Sequence, residues 1–231
     1  MSEKKLLEVI ATSVDDILQL NDSGADRIEL VSALSEGGLT PSIGMIERGV
    51  QVSALPIRVM IRPHSHSFCY SKEDLEVMVH DIRAVQSLGA SGIVLGVLTE
   101  ERRVDTEALA FLLAEAQGLS VTFHRAFDEA CDLEQAFDTL LKFPQIDRIL
   151  TSGGQATAVE GISMLGRLRQ RSEGTAIRIL AGSGLSEDNL PGFLAATGVE
   201  EVHFGRAVRL GQRLDGLILP EAVRRIKQSL Q

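Results

Sequence analysis

Residues 121–128 read VTFHRAFD, and this stretch decides how the rest of the chain is interpreted. Its first part alternates apolar and polar residues, which is typical of a strand. It then ends in His124 and Arg125, and a short turn leads to Asp128. Ionisable groups at the tip of an apolar strand are costly unless they have partners or a function. The stretch therefore predicts a strand whose C-terminal end carries a functional site.

A short β-branched segment followed by a helix-like segment recurs about eight times along the 231 residues. The predicted strands span residues 6–10, 27–31, 57–61, 92–95, 120–124, 148–150, 177–181 and 201–204. Helical apolar spacing is found at residues 14–21, 43–52, 72–88, 106–116, 133–141, 158–171, 187–196 and 220–229. Because no linker or shift in composition interrupts these units, they predict one (β/α)8 TIM barrel domain over residues 1–231.

Composition excludes several classes of partner. The formal net charge is −9, and lysines and arginines are scattered singly, so nucleic acid is not an expected partner. The longest apolar runs, such as LLEVIA at 6–11, are too short to span a bilayer, so no membrane association is expected. Cys69 and Cys131 lack the spacing of a disulfide framework. These features predict a cytoplasmic protein with free thiols.

Alternating polarity along the predicted strands indicates which side chains face the barrel interior. The active sites of such barrels lie at the C-terminal ends of the strands. The inward set nearest those ends comprises two carboxylates, one arginine and two imidazoles: Glu8, Glu29, Arg62, His124 and His203. These five are the candidate catalytic residues, and a mutually satisfied ion-pair network is the alternative interpretation.

Four further arginines fall at the starts of predicted strands, at the opposite mouth. They are Arg27, Arg58, Arg148 and Arg178. The N-terminal face of a barrel serves stability more often than catalysis. We therefore expect these four to close the barrel floor with acidic partners.

Glycine-rich segments follow three of the late strands: TSGG at 151–154, AGSG at 181–184 and FGRA at 204–207. The loops after strands seven and eight of such barrels often present backbone N–H groups to a phosphate. The candidate anion-binding residues for a phosphate or carboxylate are Gly182, Ser183, Gly184, Gly205 and Arg206. The alternative is that these segments are tight turns, which need glycine in any case.

The loop after strand three, RPHSHSFCYS at 62–71, contains donors that suit a borderline or soft metal ion. His64, His66 and Cys69 are the candidate metal ligands. They converge only if the loop is extended, and the alternative is a solvated polar surface. A zinc site built from two histidines and one carboxylate is a further option, although the order of donors matches no metalloenzyme motif.

Several longer motifs carry a resemblance to a known family. They are GADRIEL at 24–30, EGGLTPS at 36–42, IRP at 61–63, FCYS at 68–71, VTFHRAFD at 121–128, RILTSG at 148–153 and EVH at 201–203. With these motifs the chain resembles the copper homeostasis protein CutC family over nearly its whole length. The resemblance implies a TIM barrel, a cytoplasmic location, frequent formation of a homodimer, and copper handling, with Cu(I) as the bound ion.

The sequence departs from the family at two positions that matter for copper. Members often carry cysteine at the end of the first strand and directly after the IEL of the second, where this chain has Ile10 and Val31. Cu(I) prefers thiolate and thioether ligands. Cys69 is then the remaining soft donor expected near the mouth, with His64 and His66 in place of a glycine-rich segment of the relatives.

Two functions follow from these observations. One is a copper-homeostasis protein that binds Cu(I) through Cys69 and some of the histidines, namely His64, His66, His124 and His203. The other is an enzyme that uses acid/base chemistry on a small anionic or phosphorylated substrate. Arg62 would hold the anion, and either Glu8 or Glu29 would exchange protons with His124, in either order. The sequence leaves both functions open, with a metal ion or a small anion as the expected partner.

Overall fold

The computed structural model describes residues 5–230 as a closed barrel of eight parallel strands in sequence order. Each strand pairs with the next, and β8 pairs with β1. The strands are β1 Leu6–Ala11, β2 Arg27–Leu30, β3 Ile57–Met60, β4 Gly92–Leu95, β5 Ser120–Phe123, β6 Ile146–Thr151, β7 Arg178–Gly182 and β8 Glu201–Phe204. The predicted (β/α)8 TIM barrel is confirmed.

One α-helix follows each strand and covers the outside of the barrel. The helices are α1 Val14–Leu20, α2 Ile43–Val52, α3 Lys72–Ser87, α4 Thr106–Glu115, α5 Leu133–Leu140, α6 Ile162–Ser172, α7 Leu190–Thr197 and α8 Pro220–Ser229. Side-chain caps set several starts, as at α3, where Ser71 and Asp74 form the reciprocal capping box that their spacing predicts. Such caps satisfy N–H groups that have no partner inside the helix.

Two helices begin later than their apolar spacing predicts. The Ala158 N–H donates to the carbonyl of Ser183 at 2.9 Å, so this segment is tied to the neighbouring loop and α6 starts only at Ile162. Before α7, the Ser186 N–H donates to the Asn189 side chain at 2.9 Å and closes a separate turn. Hydrogen bonds between loops therefore override the helical periodicity at both starts.

The barrel interior contains a small apolar cluster separate from the core between strands and helices. Ile10, Val31, Met60 and Val94 form it, and Leu34 packs against it. The backbone brings Ile10 and Val31 close together, because the Val31 N–H donates to the carbonyl of Ala11, the residue after Ile10, at 3.0 Å. This cluster forms one wall of the C-terminal mouth.

Three of the four arginines expected at the barrel floor have acidic partners there. Arg27 pairs with Glu8 and Glu201, Arg58 pairs with Asp147, and Arg148 pairs with both Asp147 and Glu201. Arg178 differs, since it donates to the carbonyl of Thr175 at 3.0 Å. The buried floor network anchors Glu8 from below.

Candidate functional site

A cavity of about 420 Å³ lies at the C-terminal ends of the strands. Four of the five candidate catalytic residues line it: Glu29, Arg62, His124 and His203. Glu8 lies beneath it, fully buried and paired with Arg27. A site of this size suits a small organic molecule, and the C-terminal mouth is where barrels of this type hold their ligands.

The local backbone determines the hydrogen-bonding state of His124. The residue follows β5 and caps a short 3₁₀ turn, Arg125–Glu129, and its Nδ1 accepts the Ala126 N–H at 3.1 Å. An accepting Nδ1 carries no proton, so the neutral ring carries its proton on Nε2. Within residues 5–230, that Nε2 is buried and has no hydrogen-bond partner. His124 therefore presents an unused donor in the cavity wall.

The charge state of His124 agrees with this geometry. The residue is 3% exposed, and burial together with the nearby Arg62 guanidinium lowers its pKa to about 3. The imidazole is neutral throughout the physiological pH range. It can donate a hydrogen bond, but it is not an imidazolium acid.

Glu8, His203 and Glu29 form a buried chain of groups that ends at the cavity. His203 Nδ1 lies 2.8 Å from Glu8 Oε1, and its Nε2 lies 3.6 Å from Glu29 Oε2. The neighbouring positions arise from strand pairing, because Glu8 is in register with His203 and Ile10 is in register with Glu29. Glu29 Oε1 is buried and has no hydrogen-bond partner within the described chain.

The two carboxylates of this chain differ in charge because their neighbours differ. Burial opposes ionisation of Glu8, but Arg27 and His203 outweigh it and hold the pKa of Glu8 far below its usual range. For Glu29, burial dominates and raises the pKa to about 7, although His203 partly offsets it. Burial also opposes the charge on His203, yet Glu29 and Glu8 raise its pKa. Glu29 is thus the carboxylate that can gain or lose a proton near neutral pH.

Glu29→Gln is expected to stabilise the protein at alkaline pH. A carboxyl whose pKa is raised by folding stabilises the fold when protonated, and that stability is lost as the pH rises to about 7. Glutamine has no proton to lose, so the variant should exceed wild type by roughly 1–3 kcal/mol at pH 8 and match it near pH 4. Thermal unfolding across this range measures the difference. Glu47→Gln on the exposed face of α2 is the matched control, and parallel pH profiles of Glu29→Gln and wild type would contradict the prediction.

Arg62 is held by the loop that follows β2. Its Nη1 donates to the carbonyls of Glu36 at 3.1 Å and Gly38 at 3.3 Å. The guanidinium also stacks on Phe68, with 4.6 Å from Cζ to the ring centroid. Its Nε is buried and has no hydrogen-bond partner among the described residues. Arg62 is a fixed positive charge with one donor to spare.

The loops after β7 and β8 place most of the candidate anion-binding residues on the cavity. Ser183, Gly184, Gly205 and Arg206 line it, whereas Gly182 ends β7 and is not part of the lining. Ser183 adopts a left-handed backbone conformation with φ +78°, which is rare for a residue with a side chain and is often found at functional sites. Its hydroxyl donates to the carbonyl of Ala156 at 2.9 Å. This hydrogen bond therefore holds the loop after β7 from outside the cavity.

Sequence reasoning missed part of the cavity lining. Phe68, Arg125, Gln212 and Leu214 contribute to it. Strand alternation places Arg125 on the helix side, but residue 125 already belongs to a 3₁₀ turn, so that alternation no longer applies. Arg125 pairs with Asp128, with 2.8 Å between Nε and Oδ2. Phe68 belongs to the FCYS motif, which was the available signal for it.

A buried ion pair that the sequence did not reveal holds the loop after β8. Arg209 donates to Asp16 Oδ2 at 2.8 Å and to the carbonyl of Ile10 at 3.1 Å. The backbone N–H of Thr12 donates to the same carboxylate at 2.8 Å. Asp16 looks in the sequence like an ordinary acid in the first turn of a helix, so nothing distinguished it. The pair connects this loop to the end of β1 beside the cavity.

The structure does not gather the candidate metal ligands of the loop after β3 into a cluster of three within residues 5–230. The rings of His64 and His66 are stacked, with centroids 4.8 Å apart, and His64 Nε2 faces Asp74 Oδ2 at 3.4 Å. Cys69 is exposed, and its limited burial together with the carboxylate of Glu100 raises the pKa of its thiol. Within residues 5–230, no three His, Cys, Asp or Glu side chains are placed to hold a metal ion.

The barrel mouth is no better suited to Cu(I). Ile10 and Val31, the two positions at which the family resemblance implies cysteine, pack with Met60 and Val94. The apolar cluster offers one thioether and no thiolate, whereas Cu(I) prefers several soft sulfur ligands. The residues present at the mouth therefore do not fit a Cu(I) site.

The fold and the cavity define a class of protein: a (β/α)8 barrel with a cavity at the C-terminal mouth. The chain belongs to the CutC family, whose sequence profile matches residues 5–208. The copper homeostasis protein cutC homolog of Homo sapiens is 42% identical over 198 residues, which cover 86% of this chain and 72% of that protein. A family protein CutC of Bacteroides fragilis is also 42% identical, over 86% of this chain and 79% of its own.

Solved structures agree with this assignment. The crystal structure of a CutC protein from Streptococcus agalactiae superimposes with a TM-score of 0.81 at 32% identity, covering 86% of this chain and 97% of that one. Phosphoribosyl anthranilate isomerase from Thermococcus kodakaraensis superimposes with a TM-score of 0.64 at 15% identity, over 98% of this chain and 99% of its own. The second likeness shows the shared barrel fold alone.

Proposed function

We propose that the cavity binds a small organic anion and that Glu29 exchanges a proton with it. The observation that carries this proposal is the charge of the lining. Three arginines, Arg62, Arg125 and Arg206, line the cavity together with a single carboxylate, Glu29. The chain as a whole has a formal net charge of −9, so this concentration of positive charge is local. Such a cleft attracts anions.

The structure also favours one assignment of the acid/base groups over the other. Arg27 and His203 each contact one oxygen of Glu8, which is not part of the cavity lining. Glu29 is therefore the carboxylate that can reach a ligand. Its pKa of about 7 is suited to taking up and releasing a proton at neutral pH. His124, being neutral, serves as a hydrogen-bond donor.

Ligand binding can be measured with a panel of sugar phosphates and small carboxylates. A compound that binds is expected to raise the unfolding midpoint, since a ligand at 100 times its Kd stabilises the fold by about 2.7 kcal/mol. Arg206→Gln should weaken binding of that compound at least tenfold, because Arg206 is exposed at the cavity and is available to an anion. Arg48→Gln on α2 is the matched control and should bind normally. If no compound raises the midpoint at millimolar concentration, the proposal is wrong.

A second candidate function is Cu(I) binding, which the name of the human relative favours. The donors that this chain offers for it outside the apolar mouth are Cys69, His64 and His66 on the loop after β3. Cu(I) titration against a chelator should then show tighter binding by wild type than by Cys69→Ser, with Cys131→Ser as the matched control. If wild type, Cys69→Ser and Cys131→Ser bind Cu(I) with equal affinity, this loop is not a copper site.

Two further expectations concern location and assembly. In the described part of the chain, none of the helices has the length and apolar character needed to cross a membrane. We propose a cytoplasmic location and a homodimer, on the grounds of composition and of the resemblance to the family. Light scattering of the purified protein measures the mass of the assembly, and cell fractionation tests the location.

A further inference from the structure

We infer that the reaction at this site is enolisation: the reversible removal of a proton from the carbon beside a carbonyl group of the bound anion. The inference rests on the proposed function and names its chemistry. Enolisation needs a base for the C–H proton and a hydrogen-bond donor for the carbonyl oxygen, which becomes negative as the proton leaves. The cavity wall holds one residue of each kind, and each has an atom that has no partner within the described chain.

The donor is His124. The hydrogen bond from the Ala126 N–H to Nδ1 at 3.1 Å leaves the ring proton on Nε2, and that Nε2 is a buried donor with nothing to bind. A buried donor without a partner is unfavourable, so an atom of a bound molecule is its expected partner. A neutral imidazole matches the weak acidity of an enol, and a protein can use such a ring to polarise a carbonyl.

The acceptor is Glu29. Its Oε2 lies 3.6 Å from His203 Nε2, while its Oε1 is buried with no partner in residues 5–230. Water is largely excluded, since Glu29 is 2% exposed. A carboxylate in such surroundings is a stronger base than one in water, because burial disfavours its charged form. The free oxygen is the atom that would take the C–H proton.

The step balances without any further reactant. The C–H bond breaks and its proton goes to Glu29, while the electron pair of that bond forms a carbon–carbon double bond. The π electrons of the carbonyl move to its oxygen, which His124 Nε2–H hydrogen-bonds. Return of the proton from Glu29 to the same carbon regenerates the starting carbonyl compound. No electrons are gained or lost overall.

Arg62 supplies a positive charge for this step, and His203 positions the base. The guanidinium of Arg62 is fixed by two backbone carbonyls and keeps one unused N–H, so it is a preorganised positive charge for the enolate. His203 is a positioning residue, because Glu8 holds its Nδ1 at 2.8 Å and its other nitrogen faces Glu29. The substrate class that fits is a 2-hydroxy carbonyl compound or a 2-oxo acid that carries a phosphate or carboxylate.

Exchange of hydrogen for deuterium tests this inference directly. The protein is incubated in D2O with dihydroxyacetone phosphate, ribulose 5-phosphate or pyruvate, and the loss of the proton beside the carbonyl is followed by NMR. Binding of the same compounds is measured in parallel by thermal shift. We expect exchange of at least one compound above the protein-free rate, with a rate that rises with pH through about 7 as Glu29 ionises.

Four variants purified in the same way separate the roles. Glu29→Gln should reduce exchange at least 100-fold and His124→Gln at least tenfold, both with binding retained. Glu47→Gln and His80→Gln, at exposed helix positions, should exchange like wild type. The loss of exchange in Glu29→Gln, purified in the same way, excludes a contaminating enzyme. Binding of these compounds without exchange of any of them, or exchange unaffected by Glu29→Gln, overturns the inference and leaves anion binding intact. If none of the three compounds binds, and no compound of the sugar phosphate and carboxylate panel binds either, both this inference and the proposed function are wrong.

Discussion

Glu8→Ala is expected to lower the thermal unfolding midpoint by more than about 6 °C. Removing one partner of a buried ion pair typically costs about 3–5 kcal/mol, because the other charge is left without compensation. Here the loss affects two partners, Arg27 and His203, and Glu8 itself is fully buried. In a domain of this size, about 1 kcal/mol corresponds to roughly 2–4 °C. Calorimetry at pH 7 measures the effect.

The pH dependence of this effect separates lost charge from lost packing. Folding lowers the pKa of Glu8, so its contribution is fully present above the ordinary carboxyl pKa and is lost as the pH falls below it. The gap between wild type and Glu8→Ala should therefore narrow toward pH 3. Glu8→Gln, which preserves the volume of the side chain, serves as the matched variant. It should lose the part of the stability that depends on the charge of Glu8 and keep most of the part that depends on packing. A midpoint within 2 °C of wild type for Glu8→Ala would contradict the role assigned to the floor network.

Asp128→Ala is expected to destabilise the fold by about 3 kcal/mol and to disorder the loop after β6. The carboxylate accepts the backbone N–H groups of Ser152 and Gly154, at 3.0 Å and 2.9 Å, and the hydroxyl of Thr151. Thr151 and Ser152 are buried, and each buried donor left without a partner costs about 1–3 kcal/mol. The change also removes the partner that orients Arg125 toward the cavity. Urea denaturation and hydrogen exchange at residues 151–154 measure the two consequences.

Two variants control for this result. Asp128→Asn keeps the shape of the side chain but turns an NH₂ group toward donors, so it should recover only part of the stability. Asp138→Ala breaks an exposed ion pair with Arg171 and should unfold close to wild type. If Asp128→Ala and Asp138→Ala unfolded at the same urea concentration, Asp128 would have no anchoring role.

The residues at the barrel mouth bear on whether this chain binds copper, as the family name implies. The human relative is named for copper homeostasis, yet Ile10 and Val31 give this barrel mouth an apolar wall. The same mouth holds three arginines and a carboxylate whose pKa is raised to about 7. These features suit a small anion better than a soft metal ion. The exchange and titration experiments above distinguish the two functions.

Local periodicity was sufficient to predict the barrel. The alternation of short β-branched segments with helical apolar spacing depends on neighbours in the chain, and it gave eight strands in the order observed. Strand polarity also predicted that Glu29, Arg62, His124 and His203 share one mouth, because parallel strands end at the same face. Membership of the family was visible in the same motifs, VTFHRAFD among them.

Contacts between distant residues decided the rest. Strand register gave Glu8 and Glu29 different partners and therefore opposite pKa shifts, although both are buried glutamates on adjacent strands. The hydrogen bond from Ala126 set the tautomer of His124, and the pairing of Asp16 with Arg209 spans 193 residues. The sequence alone determined the barrel and which residues meet at its mouth, because both follow from repeating local patterns. Only the tertiary structure decided which of them is charged, paired or free to act, because that depends on burial and on partners far away in the chain.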